Sequence, residues 1–263
     1  MRTLKLIVAY DGTGYAGWQV QRGRPTLQGM LEAALESTIG QPVRVLASGR
    51  TDAGVHALGQ VVGLQASTEL PTEELRRALN AHLPPDMAVL EVVEAPEAFH
   101  PTRQAVRKRY RYVIHDGPVR EVFGRHFCWH YARGRLDAAA MHRAAAALQG
   151  RHDFSSFETR GAERQSSIRT VFAIEVRRSR AGQGGVEFPP EHGKVSGDCI
   201  IIEVEANGFL YNMVRAIVGT LVEVGRGARA ESWPAEVLRA ADRRAAGPTA
   251  PPQGLFLVHV KYE

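Results

Sequence analysis

Arg50, Asp52 and His56 lie within one short stretch, GRTDAGVHA (49–57), which also carries Gly49 and Gly54. A cation, a carboxylate and an imidazole this close together are the side chains of acid–base and nucleophilic chemistry. The plain alternative is a turn, in which Asp52 bonds its own backbone and Gly54 supplies a positive φ. A hairpin needs only the turn, so the weight falls on what else the chain places with these residues.

Three other stretches bear on this. FHPTRQAVRKRYRYVIH (99–115) interleaves Arg103, Arg107, Lys108, Arg109 and Arg111 with Tyr110 and Tyr112. On a strand the tyrosines share one face, and Arg109 and Arg111 take the other. That pattern is either a stacking platform for unpaired bases or one face of a half-buried strand. FLYNMVRAIVGTLVEVG (209–225) has helical periodicity, with Leu210, Met213, Ile217 and Leu221 on one side. Arg215 points nearly opposite, beside Tyr211, Asn212 and Gly219, where helical phase favours solvent over a paired carboxylate. YDGTGYAGWQ (10–19) sets Tyr15 and Trp18 among glycines, as wedges against RNA or as caps on a core. Its GTGYAG (12–17) has the glycine spacing of a dinucleotide fold. Such a site needs a helix opening at the glycines, and here the first helix begins only near Thr26.

The elements that must position these residues follow from periodicity. Strands are expected at 4–11, 43–48, 59–66 and 87–95. Helices are expected at 26–40, with Thr26 as N-cap and Gly40 as stop, and at 71–83. The order β-α-β-β-α-β is that of a split βαβ unit. A second half repeats the grammar loosely, with strands at 109–115, 125–132, 169–179, 199–206 and 254–263. Its helices are expected at 136–150, 209–225 and 233–242. A Gly/Pro-rich stretch at 180–198 reads as a long loop.

Composition narrows the class. The chain has 263 residues and a net charge of +5, with a pI near 9.5. Its 33 basic residues include four lysines, so the basic character is almost all arginine. Arginine binds phosphate bidentately and stacks on bases, although a GC-rich genome also favours it. Two cysteines without CxxC spacing argue against a disulfide framework or a zinc site. No segment has the apolar length of a membrane span or the form of a signal peptide, which points to a cytoplasmic protein.

Taken in order, YDGTGYAGWQ, GRTDAGVHALGQV, NAHLPPD, FHPTRQA with RYRY, DFSSF, NGFLYNMVRAIVG and GLFLVHV closely resemble the tRNA pseudouridine synthase A family over nearly the whole chain. The resemblance implies isomerisation of uridine to pseudouridine in the anticodon stem-loop, at about positions 38 to 40, with tRNA as partner and without cofactor or metal. Residue by residue, it makes Asp52 the essential carboxylate, Tyr110 the active-site tyrosine and Arg215 the cation that pairs with the carboxylate. Arg50 becomes the base-flipping arginine and Leu255 an apolar residue near the pocket. His56 and Arg103 join Arg50, Tyr110 and Leu255 as substrate-binding residues. The implied fold is α+β, with two related split-βαβ-like halves (1–105 and 106–263), joined antiparallel sheets, flanking helices and a basic cleft between the halves. A homodimer is implied as well. The 180–198 loop has no assigned role.

Two rival readings use parts of the same sequence. A nucleosidase or glycosidase wants a second carboxylate. The nearest candidates, Asp11 and Asp153, look like turn residues. An RNA-binding module would use the Arg/Tyr strand but gains nothing from a carboxylate facing phosphates.

Overall fold

The computed structural model describes residues 1–159, 166–179 and 199–263; the 180–198 loop lies outside the described residues. The chain is mixed α/β, with mostly antiparallel pairing flanked by helices. It divides into two compact units, residues 1–106 with 256–263, and residues 107–255. The last strand, expected with the C-terminal half, therefore groups from Phe256 onward with the first unit.

In the first unit, β1 (Arg2–Tyr10) is central. It pairs antiparallel with β3 (His56–Ala66) on one side and β4 (Met87–Glu94) on the other. A short β2 (Val45–Ala47) lies antiparallel on the far edge of β3, and β10 (Leu255–Lys261) lies parallel to the start of β3. Leu4, Leu6 and Val8 alternate into the core from β1. Helix α1 (Leu27–Ile39) begins and ends where its caps require. Thr26 accepts from the Gly29 N–H, and Gly40 closes the helix at φ 79°. The helix buries Leu27, Leu31, Ala34 and Leu35, each leucine contributing about 1.5–3 kcal/mol. Helix α2 (Thr72–His82) packs on β4 through Leu75 and Leu79.

The second unit runs β5 (Arg107–His115), β6 (Trp129–His130), α3 (Ala138–Ala145), β7 (Gly150–Asp153), β8 (Ile168–Ser179), β9 (Cys199–Ala206), α4 (Met213–Gly225) and α5 (Trp233–Ala240). Its strands lie side by side as β5-β9-β8-β7, each antiparallel to the next, with β6 parallel to β5. Strand β7 falls where the helical reading of 136–150 ends. Asp137 caps α3, which stops after Ala145, and Gly150 at φ 106° starts the strand. Helix α4 is buried nearly all round and starts at Met213 rather than at 209. Asn212 sits at φ 61°, a left-handed conformation that a helix cannot continue through. Both cysteines are buried, and neither forms a disulfide among the described residues. No helix among the described residues is long and apolar enough to cross a membrane.

Candidate active site

The Asp52 loop joins β2 to β3 and rests on a buried polar network. Ser48 donates to Gln60 Oε1 (2.7 Å), and Gln60 Nε2 donates to the Gly49 carbonyl (2.7 Å). Gln60 Nε2 also reaches the Tyr10 hydroxyl (3.4 Å), which shares a hydrogen bond with Thr51 Oγ1 (2.9 Å). Burial raises the Tyr10 phenol to about 12 even though Thr51 and Gln60 pull the other way, so it stays protonated at neutral pH. Buried groups bonded this fully fix the backbone on the N-terminal side of Asp52. On the C-terminal side the Val55 N–H donates to the Asp52 carbonyl (3.1 Å), and Gly54 has φ 76°. Asp52 itself is half-buried.

The 12–18 segment explains its own glycines. A Cβ on Gly12 would overlap the Val55 carbonyl oxygen, and the carbonyl carbon would lie 2.8 Å away. Gly17 has φ 98°, and a Cβ there would lie 2.8 Å from the Thr51 carbonyl oxygen. The Trp18 N–H donates to that same carbonyl (3.0 Å). The glycine pattern thus lets one backbone lie directly on the other beside Asp52. Tyr15 and Trp18 turn out to be core caps: both are buried, and the Tyr15 hydroxyl donates to Asp86 (2.6 Å). Sequence reasoning misses this support; its only signal is the crowding of glycines and aromatics within 10–19.

His56, expected to bind substrate, is 1% exposed. Its ring stacks on Phe256 at 4.8 Å, and its Nδ1 lies 3.1 Å from both the Gly12 nitrogen and Asp11 Oδ1. It supports the loop from below. Burial pushes the Asp11 carboxyl up, but hydrogen bonds from His56 and Thr13 outweigh this and hold it at about 2. Asp11 is a turn residue, accepting from the Thr13 N–H (2.9 Å), and Asp153 likewise accepts from the Ser155 N–H (2.9 Å). Arg50 and Arg103 are exposed, and neither guanidinium has a hydrogen bond or ion pair among the described residues. Arg103 follows Thr102, whose hydroxyl donates to the Ala47 carbonyl (2.8 Å) at the end of β2.

In the second unit the Tyr/Arg alternation on β5 is as expected, but its use differs. Tyr110 is 8% exposed and meets Phe209 edge-on at 4.9 Å, while Tyr112 is fully buried. The arginines are committed across the sheet to β9. Arg107 and Arg109 both pair with Glu205 (3.1 and 2.9 Å), and Arg111 pairs with Glu203 (2.6 Å). The half-buried strand is the better description, and a two-tyrosine stacking platform is not available.

Arg215 is half-buried rather than solvated. Nε donates to the Ala250 carbonyl (2.7 Å), and Nη1 donates to Asn212 Oδ1 (2.8 Å). The face of α4 that phase assigns to solvent is covered by residues 247–250. Gly219 admits the Pro248 backbone where a Cβ would overlap it, and Thr220 accepts from the Gly247 N–H (3.0 Å). Tyr112 donates to the Pro251 carbonyl (2.7 Å) and so pins the same segment. Burial raises the Tyr112 phenol well above 10, although the Arg215 charge acts in the opposite sense. Leu255, at the end of this segment, is buried.

Comparison with known proteins gives a consistent likeness. The family described as tRNA pseudouridine synthase matches residues 6–103 and 144–263. The chain is 44% identical over 262 residues to tRNA pseudouridine synthase A of Geobacter sulfurreducens (strain ATCC 51573 / DSM 12127 / PCA) and 45% identical over 264 residues to that of Moorella thermoacetica (strain ATCC 39073 / JCM 9320). It is 41% identical over 262 residues to that of Thermoanaerobacter sp. (strain X514). Each match covers 100% of both chains.

Proposed function

The chain belongs to the tRNA pseudouridine synthase family and is an isomerase acting on tRNA, and from that premise we propose that it acts in the anticodon stem-loop, at about positions 38 to 40, through the Asp52 carboxylate. The observation that carries this reading is the clamp on the Asp52 loop. A buried hydrogen-bond network and two glycine contacts fix the backbone on both sides of one carboxylate. A fixed carboxylate is what a reaction without cofactor requires. The nucleosidase reading loses its second acid, because Asp11 and Asp153 are spent in turns.

The reaction breaks the N1–C1′ bond, turns the uracil and forms C5–C1′; the C5 hydrogen leaves as a proton and N1 takes one up, so the product is an isomer of the substrate. Asp52 begins it by attacking C1′, by adding to C6, or by removing the C2′ proton. Deuterium at C2′ gives a primary isotope effect only by the third route. The target base must first leave the stack at a cost of a few kcal/mol, and Arg50, exposed in the same loop, fills its place. In this proposal Tyr110 and Leu255 hold the detached uracil, Arg215 keeps the reacting carboxylate ionised, and Arg103 binds the RNA backbone. His56 acts through the loop it supports. The homodimer belongs to the same proposal and is tested by sedimentation.

The direct test is tritium release from tRNA labelled at uridine C5, with wild type and Asp52→Asn compared. Release by wild type alone, with tRNA bound by both, is expected. Equal release by both would remove Asp52 from the centre of the reaction.

A further inference from the structure

We propose that the turn at residues 19–25 is a binding site for the RNA sugar–phosphate backbone, in which Arg22 and Arg24 each take a phosphate of the strand whose uridine is modified. The proposal rests on the isomerase reading only for the identity of the RNA.

Four observations carry it. The turn is rigid: Gln21 and Arg24 form a β-bridge, and Gly23 between them has φ 72°. Gln21 Nε2 donates to the Ala16 carbonyl (2.9 Å), the Ala16 N–H donates to the Pro25 carbonyl (2.9 Å), and the Val20 N–H donates to Gln28 Oε1 (3.2 Å). It is also tied to the Asp52 loop, because the Trp18 N–H that precedes it donates to the Thr51 carbonyl (3.0 Å). Both arginines are exposed, and no hydrogen bond, ion pair or ring contact joins either guanidinium to a described residue. Finally, the segment is devoid of counter-charge. No Asp or Glu occurs between Asp11 and Glu32, and Glu32 is already held by Arg44 (2.9 Å), Gln28 (2.9 Å) and the Val45 N–H (3.1 Å).

Three other arginines of this unit find acids, Arg2 with Glu94, Arg44 with Glu32 and Arg76 with Glu73, whereas Arg50, Arg77 and Arg103 are exposed without an ion pair among the described residues. What sets Arg22 and Arg24 apart is that one tethered turn presents both. A turn held this firmly while presenting two unpaired guanidinium forks suits planar, bidentate recognition of phosphate. Such contacts read no sequence and fix register, which places a chosen nucleotide over the neighbouring carboxylate.

The test is tRNA binding by filter retention over a range of KCl concentrations. It compares wild type, Arg22→Ala, Arg24→Ala, the double variant and Arg44→Ala, an exposed but paired arginine of the same unit. Each phosphate that is no longer neutralised lowers the slope of log Kd against log salt by about 0.7–0.9, so the double variant falls by about twice that. KM should rise while single-turnover tritium release at saturating tRNA stays at the wild-type rate. Arg44→Ala should keep the wild-type slope. A double variant with the wild-type slope would overturn the proposal, as would an unchanged slope with a slower chemical step, which would make the turn a mere prop for the Asp52 loop. The expected slope differences, found for a wild type that releases no tritium, would support the phosphate site and overturn the isomerase reading instead.

Discussion

Gly12→Ala tests whether the backbone approach beside Asp52 sets catalytic geometry. The added Cβ would overlap the Val55 carbonyl oxygen, with the carbonyl carbon at 2.8 Å and the nitrogen at 3.1 Å. Ordinary carbon contacts lie near ~3.5–4.0 Å, so relieving the oxygen overlap parts two backbone segments by at least about 1 Å, with no side chain to rotate away. Overpacking of this kind costs about 1–3 kcal/mol, which leaves a typical domain folded. Moving Val55 drags the turn, because its N–H is bonded to the Asp52 carbonyl. A displacement of about 1 Å at a reacting group lowers the rate by about 10²-fold. The control lies two residues away. A Cβ on Gly14 meets nothing within 4 Å, so Gly14→Ala should change stability by less than about 0.5 kcal/mol and leave the rate alone. Single-turnover tritium release gives the rate, filter binding the affinity and urea unfolding the stability. A Gly12→Ala enzyme with the wild-type rate would refute the reasoning. An equal loss in Gly14→Ala would transfer the effect to the hairpin as a whole.

Three further outcomes follow from the packing. Gly219→Ala should lower stability by about 3 kcal/mol or more and weaken catalysis, because its Cβ overlaps the Pro248 carbonyl and displaces the segment that binds Arg215; urea midpoints and tritium release read the two effects. Asp116→Ala should cost about 1.5–3 kcal/mol in urea unfolding, with the rate per folded molecule unchanged. It removes two 2.8 Å charge-assisted bonds from Arg178 to a buried carboxylate, while Arg178 keeps its bond to the Leu136 carbonyl. Asp11 has a folded-state value of about 2 against an ordinary 3.8, so its ionised form stabilises the fold. That contribution is complete above about pH 5 and is lost as pH falls through about 2. The difference in urea midpoint between wild type and Asp11→Asn should therefore shrink over that interval, and a constant difference would rule the linkage out.

What sequence can and cannot reveal divides by range. The Thr26 and Gly40 caps act on their own helix, and the Tyr/Arg alternation of β5 is a property of one strand; both are legible from neighbouring residues. The partners of those arginines are not, since Glu203 and Glu205 come from β9, more than 90 residues away. The phase of Arg215 is legible and its surroundings are not. Periodicity identifies the less apolar face of α4, but only the fold shows that residues 247–250 cover it. Asn212 is a local failure of another kind. An extended periodic pattern hides one left-handed residue, and that residue both delays the helix and binds the arginine. The absence of a helix after GTGYAG is enough to reject a nucleotide loop. The purpose of its glycines needs the partner backbone at 51–55, which no spacing within the motif encodes.

The distribution of arginine then has an electrostatic logic that its abundance alone lacks. On β5 the guanidinium groups are paired to glutamates at 2.6–3.1 Å and knit the sheet. Three arginines share two carboxylates there, since Arg107 and Arg109 both pair with Glu205, so two of their three charges are offset and one is left to a polyanion. In the first unit Arg22, Arg24, Arg50 and Arg103 are exposed, with no ion pair among the described residues. They are among the charges that can offset the repulsion between incoming phosphates and the Asp52 carboxylate; Arg77 of this unit and Arg120, Arg133 and Arg151 of the second are also exposed without an ion pair among the described residues. Each pair of unit charges about 10 Å apart in water interacts by about 0.4 kcal/mol before screening. Several phosphates would therefore oppose approach to a lone carboxylate by about 1–2 kcal/mol, and a comparable number of free arginines cancels it. Raising the salt concentration screens both terms but also removes the counterion-release gain. The enzyme's affinity for tRNA should thus fall with salt, and replacing an arginine without an ion pair, such as Arg22 or Arg24, should lower the salt slope more than replacing Arg111, which Glu203 offsets one to one.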